Sequence, residues 1–125
     1  MEIIDTKKAP GAIGPYSQAT KANGFIFVSG QLPIDPTTGE LKSDVKEATL
    51  QSLTNIKNIL IEGNSDIDHI VKVNIFLSDM SDFGACNEVY NEFFKAPYPA
   101  RACVAVKTLP KNAVLEIEAI ATYER

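Results

Sequence analysis

The segment Ile70-Val71-Lys72-Val73-Asn74-Ile75-Phe76-Leu77 contains four β-branched residues and two further large apolar ones. Such side chains pack well on the pleated surface of a sheet, so the segment predicts a buried β-strand. Helix-like patterns lie on both sides of it in the chain. The strand and its flanking helices together predict a domain in which helices cover a sheet.

A capped amphipathic helix precedes this strand. Asp44 and, three residues later, Glu47 are typical of a capping box. Apolar residues then recur at roughly helical spacing up to Leu60. Gly63, followed by Asn64, predicts the end of the helix, because both residue types adopt the left-handed conformation of a C-terminal cap.

A second helix follows the strand. Ser81 or Asp82 is expected to cap it, and Pro97 and Pro99 mark the end of the helical pattern. Its apolar face carries residues that recur at helical spacing, namely Phe83, Cys86, Tyr90 and Phe93. We expect this face to belong to the core.

The remaining strand signals come in two pairs. Residues 17–21 and 25–30 flank the Asn-Gly dipeptide at positions 23–24, which strongly favours a two-residue hairpin turn. Residues 101–109 and 114–123 flank a Pro-Lys-Asn turn. The second pair either forms a direct hairpin or consists of strands that are not hydrogen-bonded neighbours.

The predicted element order is ββαβαββ, with an optional further strand at the N-terminus. This order is typical of an α+β fold in which a mixed sheet carries two helices on one face. A single domain spanning residues 1–125 is expected, because that length buries a core without disulfides or metal. The uncovered sheet face then meets solvent, another domain or another subunit. Since 125 residues leave no room for a second domain, the uncovered face indicates an oligomer.

The composition excludes several functional classes. The net charge is −4 and no basic run occurs, so the electrostatic footprint of a non-specific nucleic-acid binder is missing. Two cysteines and one histidine cannot complete a structural zinc site, and no phosphate loop or dinucleotide fingerprint is present. No apolar stretch has membrane-spanning length, and residues 1–8 lack a signal-peptide core. We therefore expect a cytoplasmic protein with reduced thiols.

Strand alternation sorts the last two predicted strands into faces. Arg101 and Cys103 lie opposite the apolar residues of the first strand. Glu116 and Glu118 lie opposite the apolar residues of the second strand. We expect the apolar faces to lie under the helices, which directs the arginine, the cysteine and both glutamates to the uncovered side of the sheet.

Arg101 is the candidate anion receptor. Its guanidinium offers paired N–H donors that match a carboxylate, and the alternative is a surface arginine in a weak ion pair. Glu116 is the candidate for orienting or deprotonating a water molecule, with a solvated strand residue as the alternative. Cys103 is expected to pack as a small side chain and lend its backbone to the site. Thiolate chemistry would need a base, and His69 is the one histidine of the chain.

Polar positions elsewhere are further candidates. Ser29 and Gly30 stand at a strand end, where glycine lets a ligand approach the backbone, and a β-turn is the alternative. Asn87 lies on the polar side of the second helix, where solvation is the alternative. If the last two strands form a hairpin, Arg101 lies on the order of 20 Å from Glu116. The two would then share a site only across a subunit boundary.

Five segments together resemble the RidA (YjgF) family of reactive-intermediate deaminases, in order and at matching spacing over nearly the whole chain. They are residues 12–18 (AIGPYSQ), 28–33 (VSGQLP), 71–77 (VKVNIFL), 98–104 (YPARACV) and 115–121 (LEIEAIA). Each motif alone is weak, whereas the set is specific.

The resemblance implies a chorismate-mutase-like α+β fold and a homotrimer with a cleft between each pair of subunits. It also implies hydrolysis of 2-imino acids, such as 2-iminobutanoate and 2-iminopropanoate, to 2-keto acids and ammonia. Pyridoxal-phosphate enzymes such as threonine dehydratase release these imines, and the deaminase itself uses no cofactor and no metal. Neither nucleic acid nor a membrane is an implied partner.

The resemblance also implies residue roles. By position, Arg101 holds the substrate carboxylate, and Glu116 with the backbone carbonyl of Cys103 orients the attacking water. The cleft is further lined by Tyr16, Ser29, the Gly30 backbone and Asn87. One departure is Ala102, where some members carry serine; alternation places it on the core face, so little effect on chemistry is expected.

Two other functions remain open. The same cleft would serve a regulator that senses a keto acid or amino acid without turnover. A ribonuclease or translation inhibitor, a role attached to some family members, is less favoured because of the negative net charge.

Overall fold

The computed structural model describes residues 1–124 and contains one mixed six-stranded sheet on which two α-helices pack. The strands are β1 (Glu2–Ile4), β2 (Ala19–Ala22), β3 (Phe25–Gln31), β4 (Ile70–Leu77), β5 (Ala100–Ala105) and β6 (Leu115–Thr122). The helices are α1 (Val45–Glu62) and α2 (Phe83–Phe93). The predicted α+β architecture and element order are confirmed, and the optional N-terminal strand is present as β1.

The last strand of the chain lies inside the sheet. The strand order is β1-β2-β3-β6-β4-β5, and β6 runs antiparallel to both β3 and β4. β3 and β4 are therefore parallel to each other, and β5 is parallel to β4. Helices α1 and α2 connect these parallel strands, and both connections advance across the sheet in the same direction. Because such crossovers are right-handed, the two helices lie on the same face.

The Asn-Gly hairpin is confirmed. Asn23 and Gly24 have φ values of 52° and 86°, as a two-residue type I′ turn requires at both central positions. The turn sets the register in which Ala22 pairs with Phe25. Strand β1 then pairs antiparallel with β2 and forms one edge of the sheet.

Helix α1 begins and ends where the sequence predicts. The Asp44 carboxylate accepts the backbone N–H of Glu47 at 3.0 Å, which satisfies a donor of the first turn. Gly63 is the C-terminal cap, and Asn64 follows with φ 61°. The Lys21 ammonium donates to the Gly63 carbonyl at 2.7 Å, where the helix end leaves acceptors unpaired and favours positive charge.

Helix α2 has the predicted extent but a different cap. Asp82 occupies the N-cap position, yet its side chain makes no capping hydrogen bond. A short 3-10 turn at Met80–Asp82 precedes the helix, and Asp79 caps that turn by accepting the N–H of Ser81 at 2.9 Å. The cap expected at Ser81 or Asp82 is therefore displaced upstream, because the 3-10 turn supplies the first hydrogen-bonded turn.

The core lies between the sheet and the helices. The helix-facing residues of β6 are buried, as their alternation predicts: Leu115, Ile117, Ala119 and Ala121. The buried residues that pack around them come from β4 and α1: Val73, Ile75, Leu77, Leu53, Ile56, Ile59 and Leu60. This apolar layer fixes which face of β6 points away from the helices.

The last two strands do not form a direct hairpin. Strand β4 lies between them, with Arg101 of β5 beside Val73 and Glu116 of β6 beside Phe76. The connection that follows β5 passes β4 and includes a 3-10 turn at Pro110–Asn112. The alternative in which the two strands are not hydrogen-bonded neighbours is thus confirmed.

The predicted orientation of β5 is wrong. Arg101 and Cys103 share the register of the buried Val73 and Ile75, and therefore point toward the helices. Val104, expected under the helices, is 47% exposed on the other side. The error arises because β5 is an edge strand whose outer face is itself apolar, so hydrophobicity alone assigns the wrong face to the core. Both glutamates of β6 do point to the uncovered face, as predicted.

Within residues 1–124, neither helix combines the length and hydropathy needed to cross a membrane.

We expect Ile117→Ala to destabilise the fold by about 2–5 kcal/mol, since it opens a cavity beside the central strand. Urea denaturation at fixed protein concentration measures the change. Ile61→Ala is the control, because Ile61 is 53% exposed on α1 and its loss is expected to cost less than about 0.5 kcal/mol. Equal losses for both variants would contradict the assigned core.

Candidate functional site

Two cavities, one on each side of the sheet, hold the predicted site residues other than Cys103. The arginine pocket has a volume of about 360 Å³ and is lined by Asn87, Tyr90, Asn91, Tyr98, Pro99 and Arg101. The glutamate cavity has a volume of about 550 Å³. Its lining includes Tyr16, Gln18, Ser29, Gly30, Lys111, Glu116 and Glu118. The predicted residues therefore form two groups in one chain rather than one site.

Arg101 is held by one face of helix α2. Its Nη1 donates to Asn87 Oδ1 at 2.8 Å. The guanidinium carbon lies 4.6 Å from the ring centroid of Tyr90 and 5.6 Å from that of Phe83. Aromatic faces stabilise a guanidinium while leaving its in-plane N–H groups directed outward. The arrangement orients the cation and keeps donors available to a ligand.

The aromatic support of Arg101 comes from residues that were not predicted to belong to the site. Phe83, Asn87 and Tyr90 stand four and three residues apart and so share one side of the helix. Phe83 and Tyr90 pack in or against the core, as the sequence predicts, and their rings also face the guanidinium. Asn87, a predicted cleft residue, lines the arginine pocket and accepts a hydrogen bond from Arg101. The sequence signal for this support is a pair of aromatic residues that flank an asparagine at helical spacing. The helix precedes a strand that carries an arginine.

The Arg101 guanidinium has no carboxylate partner among the described residues. Among residues 1–124, the salt bridges within 4.0 Å involve Lys42, Lys46 and His69 instead. An arginine that is half-buried, oriented and unpaired is suited to bind an anion from outside its own chain. This geometry removes the alternative of a surface arginine in an ion pair within the described chain.

Cys103 packs beside the core rather than presenting a reactive thiol. It lies against the hydrophobic cluster on the helix side of β5. Burial raises the pKa of the Cys103 thiol and also that of Cys86. A raised thiol pKa disfavours the thiolate that nucleophilic chemistry needs.

Glu116 lies in the glutamate cavity on the other face of the sheet. Burial raises the pKa of its carboxyl, and the negative charge of Glu118 raises it further. A carboxyl whose pKa lies above the usual range is a better proton acceptor than a solvated glutamate once it is ionised. The alternative of a solvated strand residue does not fit this environment.

Gly30 leaves the space that Glu116 occupies. A Cβ at Gly30 would lie 2.7 Å from Glu116 Cδ and 2.8 Å from Oε1. The neighbouring Ser29 hydroxyl donates to the Ser17 carbonyl at 2.6 Å, which ties the end of β3 to the preceding segment. Gly30 is therefore needed for the position of the Glu116 carboxyl. The sequence predicted only that a ligand could approach the backbone at Gly30.

A clamped loop forms one wall of the glutamate cavity. The buried Gln18 accepts the N–H of Thr6 at 2.7 Å and donates to the Pro10 carbonyl at 2.9 Å. Beyond Pro10, the Tyr16 hydroxyl accepts the Ile13 N–H at 3.2 Å. Gln18 was not predicted as part of the site, because its contribution consists of contacts to backbone distant in sequence.

Arg101 and Glu116 cannot contact one ligand within a single chain. Their strands are separated by β4, and their partners on β4 lie three residues apart (Val73 and Phe76). Two strand spacings and this offset place the Cα atoms ~14 Å apart. The side chains also point to opposite faces of the sheet.

Within residues 1–124, no three His, Cys, Asp or Glu side chains are grouped so that they could hold a metal ion.

Comparison with known proteins gives consistent matches over the length of the chain. The family model described as Endoribonuclease L-PSP matches residues 6–123. A RutC family protein of Pyrococcus abyssi is 52% identical over 124 residues, which are 98% of this chain and 98% of that protein. Reactive Intermediate Deaminase A of Arabidopsis thaliana, a chloroplastic protein, is 48% identical over 122 residues, 97% of this chain and 65% of that protein.

The solved structures agree with the sequence matches. The crystal structure of Escherichia coli TdcF with bound serine aligns with a TM-score of 0.95 at 45% identity. The alignment covers 99% of this chain and 100% of that one. The six-stranded sheet with its two helices is therefore shared with a protein that binds a small amino acid.

We expect Gly30→Ala to displace the Glu116 carboxyl while changing the free energy of unfolding by less than about 1 kcal/mol. Gly30 does not adopt a left-handed φ, and the clashing atoms belong to the end of a flexible side chain. Crystal structures and thermal melts of both proteins measure the two effects. Gly84→Ala is the control, since a Cβ there meets nothing within 4 Å. An unmoved Glu116 would contradict the assigned role of Gly30.

Proposed function

The chain belongs to the RidA (YjgF) family, and on that premise we propose that it hydrolyses reactive 2-imino acids to 2-keto acids and ammonia. Arg101 carries the proposal. It is an oriented guanidinium without a carboxylate partner in the described chain, in a pocket that suits the acid group of a small substrate. The name of the Arabidopsis relative, Reactive Intermediate Deaminase A, supports the same reaction class.

The proposed chemistry needs little from the protein. The carbon of a protonated imine is already electrophilic, so a water oxygen can form a bond to it once both are aligned. The water loses a proton to a base, giving a carbinolamine. The nitrogen takes up that proton and the carbon–nitrogen bond breaks. The hydroxyl proton passes to the base as the carbonyl forms and then to the released ammonia, which leaves as ammonium. The reaction is R–C(=NH₂⁺)–COO⁻ + H₂O → R–CO–COO⁻ + NH₄⁺.

Each step has a candidate residue. Arg101 holds the carboxylate bidentately and so fixes the imine carbon. Glu116 accepts the proton of the water and returns it to the nitrogen, which its raised pKa favours. The backbone carbonyl of Cys103 orients the same water. No cofactor is proposed, because the substrate already contains the electrophile.

The remaining predicted residues complete the cleft. Tyr16, Ser29 and Gly30 surround Glu116 in the glutamate cavity. Asn87 differs from the others, since its amide oxygen is bonded to Arg101. We therefore assign Asn87 to positioning the arginine, while its N–H groups are available to the substrate.

The site is proposed to form between subunits of a homotrimer. The ~14 Å between Arg101 and Glu116 in one chain exceeds what a three-carbon or four-carbon imino acid can bridge. The uncovered sheet face also carries apolar side chains typical of an interface core, among them Phe25, Phe27 and Val104. A neighbouring subunit covering this face would bring its own Arg101 to the glutamate cavity.

A second candidate is a sensor that binds an amino acid or keto acid without turnover. It is favoured by the serine bound to E. coli TdcF, since that ligand is an amino acid rather than an imine. Generating 2-iminobutanoate in situ from threonine with a dehydratase, and following 2-ketobutyrate, separates the two. Acceleration over buffer supports the enzyme. Serine binding without acceleration supports the sensor.

We expect Arg101→Ala to lower kcat/KM at least ~100-fold, because the substrate loses its charged anchor and its alignment. Arg101→Lys retains the charge but not the paired donors and is expected to be intermediate. The same in situ assay measures both, with gel filtration confirming an unchanged assembly. Full activity in Arg101→Ala would contradict the carboxylate grip.

Mixing two inactive variants tests the shared site. Arg101→Ala and Glu116→Gln are unfolded together, refolded at equal concentration and assayed. If each site takes its arginine and its glutamate from different chains, about one quarter of the sites in a random mixture are intact. We expect activity near that fraction. Each variant refolded alone is the control, and no recovery in the mixture would place both residues in one chain.

A further inference from the structure

The two glutamates of β6 share a cavity but are held differently. Glu116 and Glu118 are alternate residues of one strand, so their side chains lie next to each other on the uncovered face. Asn74 of β4 donates through Nδ2 to Glu118 Oε2 at 3.0 Å. Glu116 instead lies against the bare Cα of Gly30. One carboxylate is anchored by a hydrogen bond, and the other is placed by the shape of the strand beside it.

The anchor fixes a negative charge beside Glu116. A free glutamate at position 118 would turn toward solvent to avoid its neighbour, because like charges repel most strongly in a buried setting. The bond from Asn74 opposes this movement. Asn74 lies directly opposite Glu118 in the β4–β6 pairing, so the bond follows from the register of the two central strands.

Within the described chain, the glutamate cavity contains two carboxylates and one cation, Lys111. Phe76 and Gln31, on the strands to either side, are uncharged. Lys111 and Tyr16 are the other titratable side chains that line the cavity. Burial and the negative charge of Glu118 raise the pKa of the Glu116 carboxyl even with Lys111 in the same cavity.

We propose that Glu118, anchored by Asn74, is a positioning residue that keeps the Glu116 carboxyl over Gly30 and makes it a stronger acceptor for the proton of the attacking water. The inference rests on the proposed imine hydrolysis and adds a residue to it. Glu118 touches neither substrate nor water in this scheme and acts through Glu116.

The proposal predicts the sign of the pH dependence. Glu116 accepts a proton only when ionised, so activity is lost as the pH falls through its raised pKa. Removing the charge of Glu118 lowers the pKa of Glu116. Glu118→Gln is therefore expected to retain activity to lower pH, while kcat at high pH falls ~3–10-fold because the base is weaker.

Asn74→Ala tests the anchor separately from the charge. It leaves Glu118 in place but frees its side chain. We expect Asn74→Ala to lower kcat. The pH at which activity is lost on acidification should move down less than in Glu118→Gln, and KM should change little in either variant. Glu92→Gln is the charge-matched control, since it removes one carboxylate from the exposed side of α2.

Two measurements test the proposal. The first is the pH dependence of kcat and KM, with imine generated in situ by excess dehydratase. The second is a carbon NMR titration of the glutamate carboxyls in the absence of substrate. The Glu116 resonance is assigned with Glu116→Gln. A Glu116 titration that moves to lower pH in Glu118→Gln and not in Glu92→Gln supports the proposal. An unmoved titration, or an unchanged kcat in both Glu118→Gln and Asn74→Ala, overturns it.

The two measurements also separate this inference from the proposed function. If the wild-type protein does not accelerate imine hydrolysis, the proposed function fails, whatever the titration shows. If the protein is active but the titration of Glu116 is independent of Glu118, the function stands and this inference fails.

Discussion

The insertion of β6 between β3 and β4 is the constraint on which the rest of the structure depends. Its backbone is paired on both edges, so its register sets that of both halves of the sheet. Its alternation then has two consequences at once. One set of side chains forms the floor of the core under α1, and the other set places Glu116 and Glu118 on the uncovered face. A shift of one residue would exchange the two sets and abolish both the core and the cavity.

The same insertion keeps the two candidate functional charges apart. With β6 on one side of β4 and β5 on the other, Arg101 and Glu116 are separated by a strand and face opposite ways. Had they been neighbours in one chain, they would have formed an ion pair, lowering the pKa of the glutamate and occupying the donors of the arginine. Within one chain the separation prevents that ion pair. In the proposed assembly the Arg101 that reaches Glu116 belongs to a neighbouring subunit, and the substrate carboxylate takes its paired donors.

The sequence predicted the elements better than their arrangement. The hairpin at Asn23, the limits of α1 at Asp44 and Gly63, and the buried face of β6 follow from local turn chemistry and periodicity. The position of β5 does not, because strand order depends on long-range pairing. Its orientation was mispredicted since Val104 is apolar yet exposed, whereas Arg101 and Cys103 pack toward α2. A rule that assigns apolar residues to the core fails for an edge strand whose outer face is apolar.

The sequence singled out the charged candidate residues but not the residues that hold them in place. Arg101 and Glu116 stand out as charges in strands, whereas Tyr90, Gln18 and Gly30 act through contacts with partners distant in sequence. The contacts of Gln18 and Gly30 leave no periodic signal. Tyr90 does recur at helical spacing, but its contact with Arg101 depends on the placement of β5 beside α2.

The energetic cost of the candidate site and its proposed activity both come from the burial of charged groups. Burying a charge without a partner destabilises the folded chain. The protein offsets this for Arg101 with an amide oxygen and two aromatic rings, which stabilise the cation without consuming all its donors. For Glu116, burial and the charge of Glu118 raise the pKa of the carboxyl, although Lys111 lines the same cavity. The ionised form is therefore held at an elevated free energy, and that free energy is released when it takes a proton. A cavity that stabilised Glu116 better would contain a poorer base.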